Sequence, residues 1–205
     1  PMSETEFDTR QDKYEKVTKN IAFCGGIWTW MGHTCDNKYT LGNVKTSLPK
    51  CKERGINIVY GSVWGNDGQE CNHFYSLLGA QAYGENMYNK EVSDEQLKEN
   101  FEFTVKTSYD AFIDMSDFHH IFDGREKSRE YWARAYGKKL LFSDIMCGLT
   151  DHYVYTNPMV EHYQALKEKF SVYRQNENDA FKYHFEYLEA IFDALSLKCY
   201  IAKNL

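Results

Sequence analysis

The chain has 205 residues, with 24 Lys and Arg against 30 Asp and Glu and a formal net charge of −6, which is long enough to bury a sizeable core. The acidic balance argues against non-specific nucleic-acid binding, because that binding draws on a basic surface to release counterions. No apolar run approaches the roughly 18 residues of a membrane span, and the polar, acidic opening Pro1–Glu6 lacks the basic start and apolar stretch of a secretory signal.

Residues 1–20 read as a helix, with Phe7, Tyr14 and Val17 near helical spacing among charges. The nearly charge-free run Ile21–Trp30 then reads as a strand covered on both faces. Leu41 to Arg54 returns to helical character, with Leu41, Val44, Leu48 and Cys51 on one face and Gly55 at the position where a left-handed residue ends a helix. Ile56–Trp64 reads as a second buried strand. Two apolar strands joined by a helix predict a parallel βαβ unit. Two such strands make a poor sheet by themselves, so the expectation is the end of a larger parallel sheet or barrel whose other strands precede residue 1.

From residue 93 the chain reads as all-helical. Ser93-Asp94-Glu95-Gln96 supplies a cap and acidic first turn for a helix carrying Leu97, Phe101 and Val105. A short helix with Trp132 and Tyr136 and the apolar Leu140–Phe142 follow. Val160, Tyr163, Leu166, Phe170 and Tyr173 mark one amphipathic helix, and Phe181, Phe185, Leu188, Phe192, Leu195 and Cys199 mark the next. These two are expected to pair as an antiparallel hairpin. Aromatic residues reach 16% of the chain. Most of these rings read as helical core, although rings also line sugar sites.

The six cysteines contain no Cys-x-x-Cys pair and match no zinc template. They read as reduced thiols in a cytoplasmic protein, with Cys24 and Cys71 buried and inert. His119-His120 has no second ligand at metal spacing, so no metal and no cofactor are expected. Asp114, Asp117 and Asp123 read as a solvated acidic patch, and His33 and His73 as solvent-facing loop residues beside the strand ends.

Sites in parallel α/β architectures gather where strands end. Here those ends are Trp28-Thr29-Trp30-Met31-Gly32-His33 and Trp64-Gly65-Asn66-Asp67-Gly68-Gln69-Glu70. Aromatic walls with a few convergent polar groups suit a hydroxyl-rich, partly apolar ligand such as a sugar. Packing readings stand beside this one: Trp28 and Trp30 as core plugs, and Glu70 as a carboxylate at a helix start.

Phe23–Trp30, followed by Trp64–Cys71, resembles the last two barrel strands of bacterial family 20 glycoside hydrolases, and Leu140–Leu149 with the closing helices resembles the helical extension of one subgroup. The resemblance implies an α/β plus all-α fold: residues 1–90 as the C-terminal end of a (β/α)8 TIM barrel and residues 91–205 as a helical C-terminal domain. It implies exo-acting β-N-acetylhexosaminidase chemistry, in which the substrate's acetamido oxygen replaces the enzyme nucleophile of most retaining glycosidases.

By position, Trp64 and Trp30 or Trp28 would be walls around the acetamido group, and Asn66, Asp67 or Glu70 would hold sugar hydroxyls. Asn66-Asp67 inverts the order usual in the family. The family's catalytic Asp-Glu pair has no counterpart here, since the only consecutive Asp-Glu, Asp94-Glu95, caps a helix. No catalytic residue is therefore expected in this chain. The expected partners are an N-acetylhexosamine-containing sugar and either the missing N-terminal barrel portion or a homodimer partner, with no nucleic acid and no membrane. Non-catalytic carbohydrate binding, or a helical interaction domain, are the alternatives.

Overall fold

The computed structural model describes residues 3–65, 68–120 and 136–205. Helix α1 (Glu4–Glu15) opens on a capping box, in which the Ser3 hydroxyl and the Glu6 carboxylate each accept from the other residue's backbone N–H. Strand β1 (Ala22–Ile27), helix α2 (Asn37–Glu53) and strand β2 (Ile58–Val63) follow. The strands pair in parallel, from Ala22 opposite Ile58 to Ile27 opposite Val63, as a βαβ unit requires. Leu41, Val44, Leu48 and Cys51 of α2 are all buried, and Gly55 takes φ +68° just beyond the helix end. Arg54 reaches back to Asp8, Asp12 and Glu15, each at 2.9 Å, which binds α1 to the end of α2.

The sheet departs from expectation in one respect. Strand β2 is largely exposed rather than buried, with Tyr60 showing 59% of its surface. Helices α1, α2 and α3 (Leu77–Tyr88) cannot cover both faces and both edges of two strands. Cys24 on β1 is exposed for the same reason, contrary to its reading as a buried thiol, whereas Cys71 is buried. Helix α3 itself escapes periodicity analysis, because Gly79 and Gly84 interrupt its apolar face; Leu78, Ala82 and Tyr83 are nevertheless buried.

Helices α4 (Asp94–Val105), α5 (Tyr109–Asp114), α6 (Tyr136–Phe142), α7 (Asp151–Thr156), α8 (Met159–Gln175) and α9 (Asp179–Asn204) form the all-α part. The Ser93 hydroxyl accepts from Gln96 N–H, as the cap signature predicts. Helices α8 and α9 are antiparallel, with Lys167 on Asp193 at 2.6 Å and Arg174 on Glu189 at 2.8 Å. Tyr163, Phe170, Phe185, Leu188, Phe192 and Leu195 are buried between and beneath them. The predicted helix around Trp132 lies outside the described residues, as does Asp123; the structure begins α6 at Tyr136.

A buried polar knot joins the two parts. The Asp36 carboxylate accepts from Tyr39 N–H at 3.0 Å and from His120 Nε2 at 2.8 Å. His119 Nε2 shares hydrogen bonds with the hydroxyl and carbonyl of Thr34, and Asn37 donates to the Phe112 carbonyl at 2.8 Å. Burial pushes the Asp36 carboxyl up, but the His120 hydrogen bond and the charges of both histidines outweigh it and hold it below the usual range. The adjacent histidines thus bind the chain to itself.

Asp114 and Asp117 are not a solvated patch. Asp114 accepts from Tyr173 Oη at 2.6 Å and pairs with Lys169, and Asp117 pairs with Lys38 at 2.5 Å. No helix among the described residues is long and apolar enough to cross a membrane.

Candidate functional site

The two strand ends are joined side by side. Beyond the last strand pair, the buried Thr29 hydroxyl donates to the Trp64 carbonyl at 2.9 Å. The loop after β1 then curls back: Trp28 N–H donates to the Thr40 hydroxyl at 3.0 Å, and Asp36 N–H donates to the Trp28 carbonyl at 2.9 Å. The sequence supplies a threonine hydroxyl where each strand runs out of ladder partners, Thr40 as acceptor beyond β1 and Thr29 as donor beyond β2.

The tryptophans divide into two groups. The rings of Trp28 and Trp30 lie 4.2 Å apart, and Trp28 also lies 4.2 Å from Tyr39 on α2. Trp30 sits directly over Gly26, where a Cβ would come within 2.4 Å of its ring. Trp64 stands apart from that pair and is 52% exposed. Its indole N–H donates to the Ser62 hydroxyl at 2.5 Å, and that hydroxyl donates to the Gly25 carbonyl at 3.0 Å. The Trp64 indole is therefore tethered to the sheet while the residue stays about half exposed. Asn66 and Asp67 lie outside the described residues.

Glu70 is neither a free carboxylate nor part of a helix start. It forms an ion pair of 2.7 Å with Lys138 of α6, and the two side chains are only 20% and 19% exposed. Beside them is His33, which is 8% exposed rather than solvent-facing. Its Nδ1 shares a 2.6 Å hydrogen bond with Tyr187 Oη of α9, and its ring stacks on Phe142. Burial lowers the His33 pKa, the Lys138 charge lowers it further, and the Glu70 charge works the other way. His73 stays at the surface and touches Gln69.

Lys138 and Tyr187 could not have been singled out from sequence. Lys138 sits in an unremarkable Lys-Lys pair, and Tyr187 is one tyrosine among sixteen.

A cavity of about 560 Å³ opens along β1, lined by Phe7, Gln11, Phe23, Trp28, Tyr39 and Tyr83 among others. The buried thiols offer no nucleophile, since burial pushes Cys71 and Cys199 up to about 12. No group of three or more His, Cys, Asp or Glu is placed to hold a metal ion among the described residues.

A parallel βαβ unit whose strand ends carry aromatic and polar side chains, followed by an all-α region closing over them, defines an α/β protein with an appended helical domain. The family comparison bears on the later part of the helical region. Residues 110–205 match the Glycoside Hydrolase 20C C-terminal domain. The match begins within α5 and takes in every later helix. No curated protein matches the chain.

Proposed function

We propose that this chain forms part of an exo-acting β-N-acetylhexosaminidase, supplying sugar-binding groups but not the catalytic carboxylate pair. In this reading residues 1–90 are the end of the catalytic barrel and residues 91–205 the helical domain. The substrate class is a terminal β-linked N-acetylglucosamine or N-acetylgalactosamine. The acetamido oxygen attacks the anomeric carbon with retention, so the protein must grip the acetamido group and protonate the leaving oxygen.

The observation that carries the reading is Trp64, an indole held by its own N–H at the end of β2 and about half exposed, on a chain whose residues 110–205 match a glycoside hydrolase 20C C-terminal domain. A tethered, half-exposed indole suits stacking against a sugar. Trp30 and Trp28 are the candidate second wall, and Asn66, Asp67 and Glu70 the candidate hydroxyl-binding groups. Of these, Glu70 is already engaged by Lys138, which favours the other two for direct contact.

The family's Asp-Glu pair has no counterpart at a strand end among the described residues. Asp94 and Glu95 lie in the first turn of α4, and Asp94 pairs with Lys45 at 2.6 Å. The unpaired strand edges, with the long cavity beside β1, suit further parallel strands that would bring that carboxylate pair.

The test is saturation-transfer NMR with N-acetylglucosamine and N-acetylgalactosamine, run beside a p-nitrophenyl β-N-acetylglucosaminide assay on the same 205-residue chain. The expected outcome is weak binding that disappears in Trp64→Ala, with no release of p-nitrophenol. Hydrolysis that survives repurification and fails in Trp64→Ala would place a catalytic carboxylate within this chain and overturn the division of labour. Absence of binding to either sugar would remove the sugar reading.

A further inference from the structure

Among the polar contacts that tie the loops after β1 and β2 to the helical side, two meet in one cluster. From the β2 loop, Glu70 reaches Lys138 on α6 at 2.7 Å. From the β1 loop, His33 reaches Tyr187 on α9 at 2.6 Å. The two contacts belong to one cluster, since both Glu70 and Lys138 act electrostatically on His33, and Glu70 acts on Tyr187.

The packing is built for this approach. Gly32, at φ +148°, lies against α6 so closely that a Cβ there would stand 3.2 Å from the Lys138 Cβ and 2.8 Å from the Phe118 ring. A side chain at position 32 would clash with the Phe118 ring and crowd Lys138, on a backbone conformation that residues with a Cβ rarely adopt. His33 is enclosed by Phe118, Phe142 and Tyr187. Its Nε2 is buried with no hydrogen-bond partner among the described residues. The Tyr187 hydroxyl is thus the polar contact that orients the ring, and its removal would leave both ring nitrogens unsatisfied.

We infer that Lys138 and Tyr187 are positioning residues, a two-point clamp through which the helical domain sets the geometry of the two strand-end loops that bear the sugar site. This rests on the sugar reading of those loops. The clamp gives the helical domain a part in substrate binding without touching the substrate: Lys138 holds Glu70 in the segment that leads into α3, and Tyr187 holds His33 in the loop that follows Trp30.

Hydrogen exchange read by mass spectrometry tests the clamp in the 205-residue chain, with thermal unfolding and the N-acetylglucosamine NMR titration run alongside. Lys138→Met keeps the stem that packs on Gly32 and removes the charge; Lys138→Arg keeps the charge; Tyr187→Phe removes only the hydroxyl. Amides around Gln69–Cys71 are expected to exchange several-fold faster in Lys138→Met and at nearly the wild-type rate in Lys138→Arg. Amides around Met31–Cys35 are expected to exchange about tenfold faster in Tyr187→Phe. Both loosened variants should bind the sugar more weakly while α8 and α9 keep their protection.

Unchanged exchange in both loops would overturn the clamp, as would a uniform rise across the whole chain, which would mark the contacts as ordinary stability. Faster loops with undiminished sugar binding would overturn its role in the site. Faster loops in a wild type that binds no sugar would support the clamp as a structural lock and remove the sugar reading by itself.

Discussion

The sheet is built from charge-free strands and the α8–α9 hairpin from amphipathic helices, yet it is the hairpin that encloses its apolar side chains more completely. In the hairpin, Phe170, Phe185, Leu188, Phe192 and Leu195 are fully or nearly fully enclosed. In the sheet, Ile58, Tyr60 and Val63 of β2 stand exposed. The cause lies in the backbone. A helix satisfies its own N–H and C=O groups and needs cover along one stripe. A parallel strand takes its hydrogen bonds from neighbours and has two faces to bury. The helical part is therefore close to self-sufficient, while the two-stranded sheet leaves apolar side chains uncovered.

The largest effect that separates the two regions is expected from Phe192→Ala. Its ring is enclosed and touches Phe118, Tyr163 and Phe170, so its loss should cost about 3–5 kcal/mol in chemical denaturation. A cost under about 1 kcal/mol would mean the hairpin core is not the anchor of the fold.

The knot between the regions comes next. Asp36→Ala removes one member of a buried pair and the cap of α2, and should destabilise by about 3 kcal/mol at neutral pH. The pH dependence has a definite sign. A carboxyl whose folded pKa is depressed stabilises fully above its unfolded value of about 3.9, and that contribution is lost as pH falls through the lower folded value. The gap between wild type and Asp36→Ala should therefore close in denaturation series taken below about pH 4. A gap that widens there would contradict the assigned direction.

Smaller still is Tyr60→Ala on the open strand, which should stay within about 0.5 kcal/mol. Tyr60→Lys should reduce any self-association seen by light scattering, because charge on an exposed strand disfavours edge pairing. A large stability loss at Tyr60 would show that the strand is covered in solution, by a second copy or by another segment.

Much of the local structure was legible in the sequence for reasons that act over a few residues. The three- and four-residue spacing of Phe181, Phe185, Leu188 and Phe192 has one solution, a helix with a buried stripe. Ser93 and Gly55 mark helix ends because a short hydroxyl satisfies an orphan N–H and a residue without Cβ tolerates positive φ. The Phe23–Trp30 and Trp64–Cys71 segments carried the family resemblance, and the helical domain that followed from it is the one that residues 110–205 match. Helix α3 was hidden because its small residues carry no periodic apolar signal.

What the sequence by itself determined was the capped or strongly periodic helices α1, α2, α4, α8 and α9, and which two segments become parallel strands. Local periodicity, capping and turn chemistry depend only on near neighbours in the chain. What only the tertiary structure decided was which polar groups meet: Glu70 with Lys138, His33 with Tyr187, and Asp36 with His120. These partners are separated by many tens of residues, and no local pattern selects one lysine or one tyrosine among many. The choice follows from how the helices dock on the strand-end loops, and burial then makes each contact specific, since a polar group removed from water must find its partner there.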